Sequence, residues 1–148
     1  MKYAKKSEYG SIRMTTPATT SLTVAGTDYL IDGTFDTSGG GCCNNFTQNA
    51  DGSLTYSGAG GVFQITGTSD VEVDKACTIN YTLYMDSTPD GTTPHDFTAA
   101  AKSENISIVG IITLTTGMVL SARAKSNTAN TALDPLNLNV SFILLKPL

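Results

Sequence analysis

The side chains in this 148-residue chain that could do chemistry are few and scattered. His95 is the only histidine, and Asp96 follows it directly. A hydrolytic triad holds a histidine between a nucleophile and a carboxylate. Neighbouring residues on a strand point to opposite faces, so His95 and Asp96 cannot serve one site together. Asp70, Glu72 and Asp74 alternate and could share one side of a strand. Paired carboxylates suit glycoside hydrolysis when a cleft raises the pKa of one of them. With carbonyl oxygens the same acids could hold calcium. As a solvated edge they would simply keep a sheet from pairing with other chains, and this is the reading the surrounding residues favour.

Three cysteines are present, Cys42 and Cys43 side by side and Cys77 alone. An odd number with a vicinal pair is not a secreted disulfide framework. Structural zinc sites pair their ligands a few residues apart, twice over, and two thiols with His95 lack that spacing. Gly39-Gly40-Gly41 is followed by the cysteine pair rather than by Lys-Ser/Thr and a helix, which excludes a phosphate-cradling loop. The expectation is a protein that is not an enzyme, with no metal and no cofactor.

The elements that carry these residues are strands. Only 15% of residues are charged, Thr is abundant, and long Ala/Leu/Glu/Lys runs are missing, so an all-helical fold is excluded. In Val71–Met85, after a turn at Asp74-Lys75, Cys77, Ile79, Tyr81, Leu83 and Met85 point one way and Thr78, Asn80, Thr82 and Tyr84 the other. That alternation marks a strand with one apolar face, which needs a second sheet to cover it. Tyr9–Met14, Tyr29–Phe35, Ser53–Tyr56, Val62–Thr68, Asn105–Leu114 and Met118–Lys125 repeat the pattern, separated by turns such as Asp51-Gly52. Asp86–Asp96, with two prolines, reads as a loop, as does Ser126–Pro135. Phe97–Lys102 is ambiguous, since its alanines could form one helical turn. The expected fold is all-β, an antiparallel two-sheet sandwich, with residues 1–8 as an N-terminal arm and 9–148 as one domain.

The last strand has more apolar surface than one sandwich needs. Leu136, Leu138, Val140, Phe142 and Leu144 share a face, and Ile143 and Leu145 add bulk to the other. Such a strand is expected to cover a contact between subunits. The net charge of −4 leaves Lys2, Lys5 and Lys6 as the only basic cluster, so nucleic acid is not an expected partner of the domain body. No run approaches the ~18 apolar residues of a membrane span, and no apolar segment follows the polar Met1–Glu8, so synthesis in a cytosol is expected.

The run Asn45-Phe46-Thr47…Asp51-Gly52-Ser53-Leu54-Thr55-Tyr56-Ser57-Gly58 resembles the F-T…D-G-x-L-T-Y-x-G segment of small structural domains on the virions of tailed bacteriophages. Thr93-Pro94-His95-Asp96-Phe97, Ile106-Ser107-Ile108, Ala124-Lys125-Ser126 and Leu136-Asn137-Leu138 continue the likeness, which spans about two thirds of the chain. Those domains are similar in architecture to tumour-necrosis-factor and complement globular-head jelly rolls, which trimerise about an axis. They usually carry a longer, more regular strand-turn-strand where this chain has Met85–Asp96. The resemblance implies a homotrimeric jelly roll on the capsid exterior, assembled in the host cytoplasm. It implies a decoration or cement protein that binds the major capsid protein or another virion protein, with no membrane partner. A receptor-binding module at a tail-fibre tip or on a head fibre is the alternative. On this reading Leu136, Leu138, Val140, Phe142 and Leu144 form the trimer interface, and Lys2, Tyr3, Lys5 and Lys6 touch the capsid.

Overall fold

The computed structural model describes residues 7–37, 43–89, 95–100 and 103–148. The described residues form strands and no helix. In chain order the strands are β1 (Tyr9–Pro17), β2 (Thr20–Leu22), β3 (Tyr29–Leu30), β4 (Gly33–Phe35), β5 (Phe46–Gln48), β6 (Leu54–Tyr56) and β7 (Gly61–Val73). There follow β8 (Ala76–Met85), β9 (Thr88–Pro89), β10 (His95–Ala100), β11 (Ser103–Leu114), β12 (Val119–Ser126) and β13 (Thr131–Pro147). Two antiparallel sheets face each other. The first runs β11-β7-β13-β1-β4, with β2 pairing to β13; the second runs β10-β8-β12-β6-β5, with β3 on β12 and β9 on β8.

The alternating pattern fixes which side chains go between the sheets. Along β7 the residues Phe63, Ile65, Val71 and Val73 are buried, while Gln64, Thr66, Thr68, Glu72 and Asp74 face out. Cys77, Ile79, Tyr81 and Leu83 of β8 close the core from the second sheet, as their spacing requires. The turn at Asp74-Lys75 carries the chain from one sheet to the other, so β7 and β8 are stacked rather than paired. Four rings fill one end of the core: Phe46 lies 4.9 Å from Tyr56, 5.5 Å from Phe63 and 6.1 Å from Phe142 between centroids. Gly10 is required there, since a Cβ would come within 2.5 Å of the Phe46 ring.

Beside these rings the Tyr56 hydroxyl donates to Glu8 Oε2 at 2.6 Å and accepts the Gly60 N–H at 3.0 Å. Burial first, then the bond to Glu8, pushes the Tyr56 hydroxyl pKa up. Glu8 is buried, and its carbonyl accepts from the Leu144 N–H at 2.9 Å. The arm expected over residues 1–8 is therefore already packed into the domain at its last residue.

Several local expectations change. Gly61–Val73 is one thirteen-residue strand rather than two segments, because Gly67 and Thr68 stay in register with both neighbours. Tyr29–Phe35 is not one strand: β3 pairs with β12 and β4 with β1, so the chain crosses between sheets at Ile31-Asp32. The supposed loops are shorter than expected, with β9 inside Asp86–Asp96 and β13 beginning at Thr131. Phe97–Ala100 is strand, since a ladder to Ile79, Thr78, Cys77 and Ala76 outweighs the helix propensity of alanine. Lys2, Tyr3, Lys5, Lys6 and Cys42 lie outside the described residues; Cys43 packs against the core.

Candidate functional site

The chemistry-bearing residues do not converge. Asp96 accepts a hydrogen bond from Asn80 Nδ2 at 2.5 Å on the outward face of β8. His95 stands opposite Tyr81 in the ladder between β10 and β8. Asp70 and Glu72 do share the outward side of β7, with Asp74 in the turn that follows, but that strand lies inside its sheet between β11 and β13, not at an edge. The Asp70 carboxylate takes Asn105 Nδ2 on one oxygen and Asn137 Nδ2 on the other. Asp74 accepts the Ala132 N–H at 2.9 Å and lies 3.9 Å from Lys75 Nζ. Glu72 faces Asp134 across the ladder, and Asp134 accepts from Thr19. Each acid thus has a separate local role, and among the described residues no three His, Cys, Asp or Glu side chains are placed to hold a metal. The calcium option loses its geometric basis.

The last strand yields the clearest correction. Leu138, Val140 and Phe142, expected at a subunit contact, are at most 1% exposed inside the protomer's own core. Leu144 is half-buried against the same core. They form the bulkier row of β13, and the sandwich needs it. Leu138, Val140 and Phe142 have no surface left for a partner chain. Leu136 leaves their row at a bulge between Pro135 and Asn137 and is exposed beside Asp70 and Asn105. That bulge is held by Ser69, whose hydroxyl donates to the Asn137 carbonyl at 2.8 Å and accepts from Tyr81.

The surplus lies on the other side of the same sheet. Val109, Ile111 and Ile143 point outward and are 46 to 61% exposed. Register places them together: Ile111 and Ile143 both stand opposite Gln64, and Val109 stands opposite Thr66 in the next outward row. With strands about 4.8 Å apart, Ile111 and Ile143 are roughly 10 Å from each other across β7. Tyr9 extends the Ile111–Gln64–Ile143 row onto β1, and Leu145, at a second bulge in β13, is exposed at that end. Beside the Ile111–Gln64–Ile143 row lies a shallow groove lined by Thr66, Thr68, Ser107, Val109, Asn139 and Ser141. Alternation in the sequence marked Ile143 and Leu145 as surplus. Their convergence with Val109 and Ile111 depends on pairings through β7 between residues far apart in the chain.

The outward face of the second sheet is of another kind. The Arg123 guanidinium sits 5.0 Å over the Tyr84 ring. Lys125 Nζ is 4.0 Å from Asp28. Burial, and then a hydrogen bond with Asp28, pushes the Tyr84 hydroxyl up to about 12. Next to this network Gly26, Thr78, Asn80, Lys125, Ser126 and Asn127 line a pit of about 220 Å³.

No family model matches the chain, and no curated protein matches it. Solved structures do. An Eiger TNF structure from S. frugiperda superposes with a TM-score of 0.63 at 12% identity, covering 95% of each chain. Murine APRIL at pH 5.0 gives a TM-score of 0.57 at 11% identity, over 95% of this chain and 100% of that one. Murine APRIL at pH 8.5 gives 0.57 at 10% identity. At such identities the likeness is one of fold: the chain folds as a TNF-like jelly-roll sandwich of two antiparallel sheets.

Proposed function

We propose that this chain is a self-associating structural module, a homotrimer of TNF-like jelly rolls that decorates the capsid of a tailed bacteriophage. The observation that carries self-association is the outward apolar cluster of Val109, Ile111 and Ile143, spread over two adjacent rows of the first sheet. Large apolar side chains gathered on one face mark a contact surface. Full burial of an aliphatic side chain is worth about 1.5–3 kcal/mol, so covering these half-exposed ones contributes roughly half of that each, and a threefold arrangement covers the cluster in every protomer. The shallow polar groove beside it leaves no unpaired charge to desolvate.

The virion reading draws on the resemblance of Phe46–Gly58 to phage structural domains. On this reading the module does no chemistry. It stabilises the shell by mass action, because only the assembled capsid offers its binding site. The arm with Lys2, Tyr3, Lys5 and Lys6 joins the domain at Tyr9, next to the apolar row, and would reach the capsid from there. Mixing the purified protein with undecorated capsids tests this reading: co-sedimentation supports it, and free protein left in the supernatant refutes it. A second reading, a receptor-binding head, shares the trimer and is favoured by the pit on the second sheet. Competition of virion adsorption by free protein separates the two.

A further inference from the structure

We infer that the pit on the outward face of the second sheet is a binding site for a single neutral sugar ring. It lies where β8 and β12 meet the turn at Gly26, and its lining residues, though polar in type, turn mainly apolar atoms into it. At about 220 Å³ it is smaller than the ~300–1,000 Å³ of drug-sized ligand sites. One ring with an apolar C–H face and a polar edge suits such a shape.

The walls are held before any ligand arrives. The Gly26 N–H donates to the Ser126 carbonyl at 2.8 Å. The Asn127 N–H donates to the Thr78 carbonyl at 3.0 Å, and the Thr78 N–H returns to Asn127 Oδ1 at 2.9 Å. Preorganised walls spare the ligand the cost of ordering them. The rim supplies both kinds of hydrogen-bonding partner. Asn80 spends its Nδ2 on Asp96 and so presents Oδ1 as an acceptor, beside the exposed Asp96 carboxylate. Lys125 presents a half-exposed ammonium as donor. Hydroxyl groups both donate and accept, and so can satisfy such a rim all round.

Charge selects the class of sugar. Lys125 and Arg123 are matched by Asp28 and Asp96 around this face, so no net positive field attracts an acidic ligand. An anionic sugar or a sulfate would meet Asp96 at the rim. A neutral hexose avoids that repulsion.

The inference deepens the receptor-binding reading but requires only the folded protomer. The pit and the apolar row lie on opposite outward faces of the sandwich, so one can fail without the other. For a ligand of this size the dissociation constant is expected on the order of 1 mM per site, with avidity added if copies are joined.

The test is amide-resolved NMR titration of the full chain with methyl glycosides of glucose, galactose, mannose and N-acetylglucosamine. N-acetylneuraminic acid and sulfate are run as anionic controls. At least one neutral glycoside is expected to shift the amides of Thr78, Asn80, Lys125 and Asn127 saturably. Asn80→Ala and Lys125→Ala, both at half-exposed positions, are each expected to weaken it about tenfold, with the remaining spectrum unchanged. An Ile111→Asp variant is expected to bind as the parent does, whatever its oligomeric state. Three results would overturn the inference: no saturable shift at about 50 mM of any neutral glycoside, shifts confined to another face, or tighter binding of the anionic controls.

Discussion

The two sheets of this sandwich turn different surfaces outward. On the first, the rows crossing β11, β7 and β13 carry Val109, Ile111 and Ile143 among Thr, Ser, Asn and Gln, with no charge at their centre. On the second, Arg123, Lys125 and Tyr84 gather around Asp28, and Asn80 bonds Asp96. Both sheets turn apolar side chains to the core, so folding alone does not call for this difference. What differs is the centre of each outward face: apolar and uncharged side chains around Gln64 and Thr66 on the first sheet, paired charges on the second.

The comparison can be broken most forcefully at the inner face of β13. Phe142→Ala empties a fully buried ring site and is expected to cost about 3–5 kcal/mol, read as a lowered denaturant midpoint. A small cost would mean that Phe142 is not a core residue. Ile111→Asp, on the outward face of the same sheet, should leave the protomer folded and weaken self-association at least about 100-fold, measured by light scattering across a dilution series. Lys125→Asp on the second sheet should leave association unchanged, and a comparable loss there would erase the distinction between the faces.

Alkaline titration sharpens the second face. The Tyr84 hydroxyl is raised to about 12 in the fold, against 10.0 for the ordinary group. A raised folded value gives stability that is fully present below pH 10 and is lost as pH rises toward 12. Tyr84→Phe should therefore flatten the fall in melting temperature over that window, and an unchanged slope would contradict the burial and Asp28 contact. The smallest effect is expected at Glu72 and Asp134, which stand opposite each other on the first sheet. Asp134→Asn should relieve like-charge repulsion and stabilise by about 0.2–1 kcal/mol, less whatever the Thr19 contact supplied, as seen in chemical denaturation.

Much of this architecture was legible in the residues. Period-two alternation gives β8 and β11, and Asp51-Gly52 gives the β5–β6 hairpin, with Gly52 at φ 85°. Alternation shows that a strand has two faces but not which one turns inward. For β13 the row of Leu138, Val140 and Phe142 was expected at a subunit contact, whereas the core takes it because the facing sheet must be covered first. The Leu136 bulge depends on Ser69 and Asn137, and the Ile111–Gln64–Ile143 row on two ladders through β7. The pit joins β8, β12 and the turn at Gly26. Contacts between residues this far apart in sequence leave no local periodic trace, so these features had to come from the structure.

On the proposed reading, further copies of this chain cover the outward face of the first sheet. Sedimentation equilibrium of the unmodified protein, run beside Ile111→Asp over micromolar to sub-millimolar concentrations, tests it most directly. The account expects a single species of three times the chain mass for the parent and a folded monomer for the variant. A parent that stays monomeric across the whole range would contradict it.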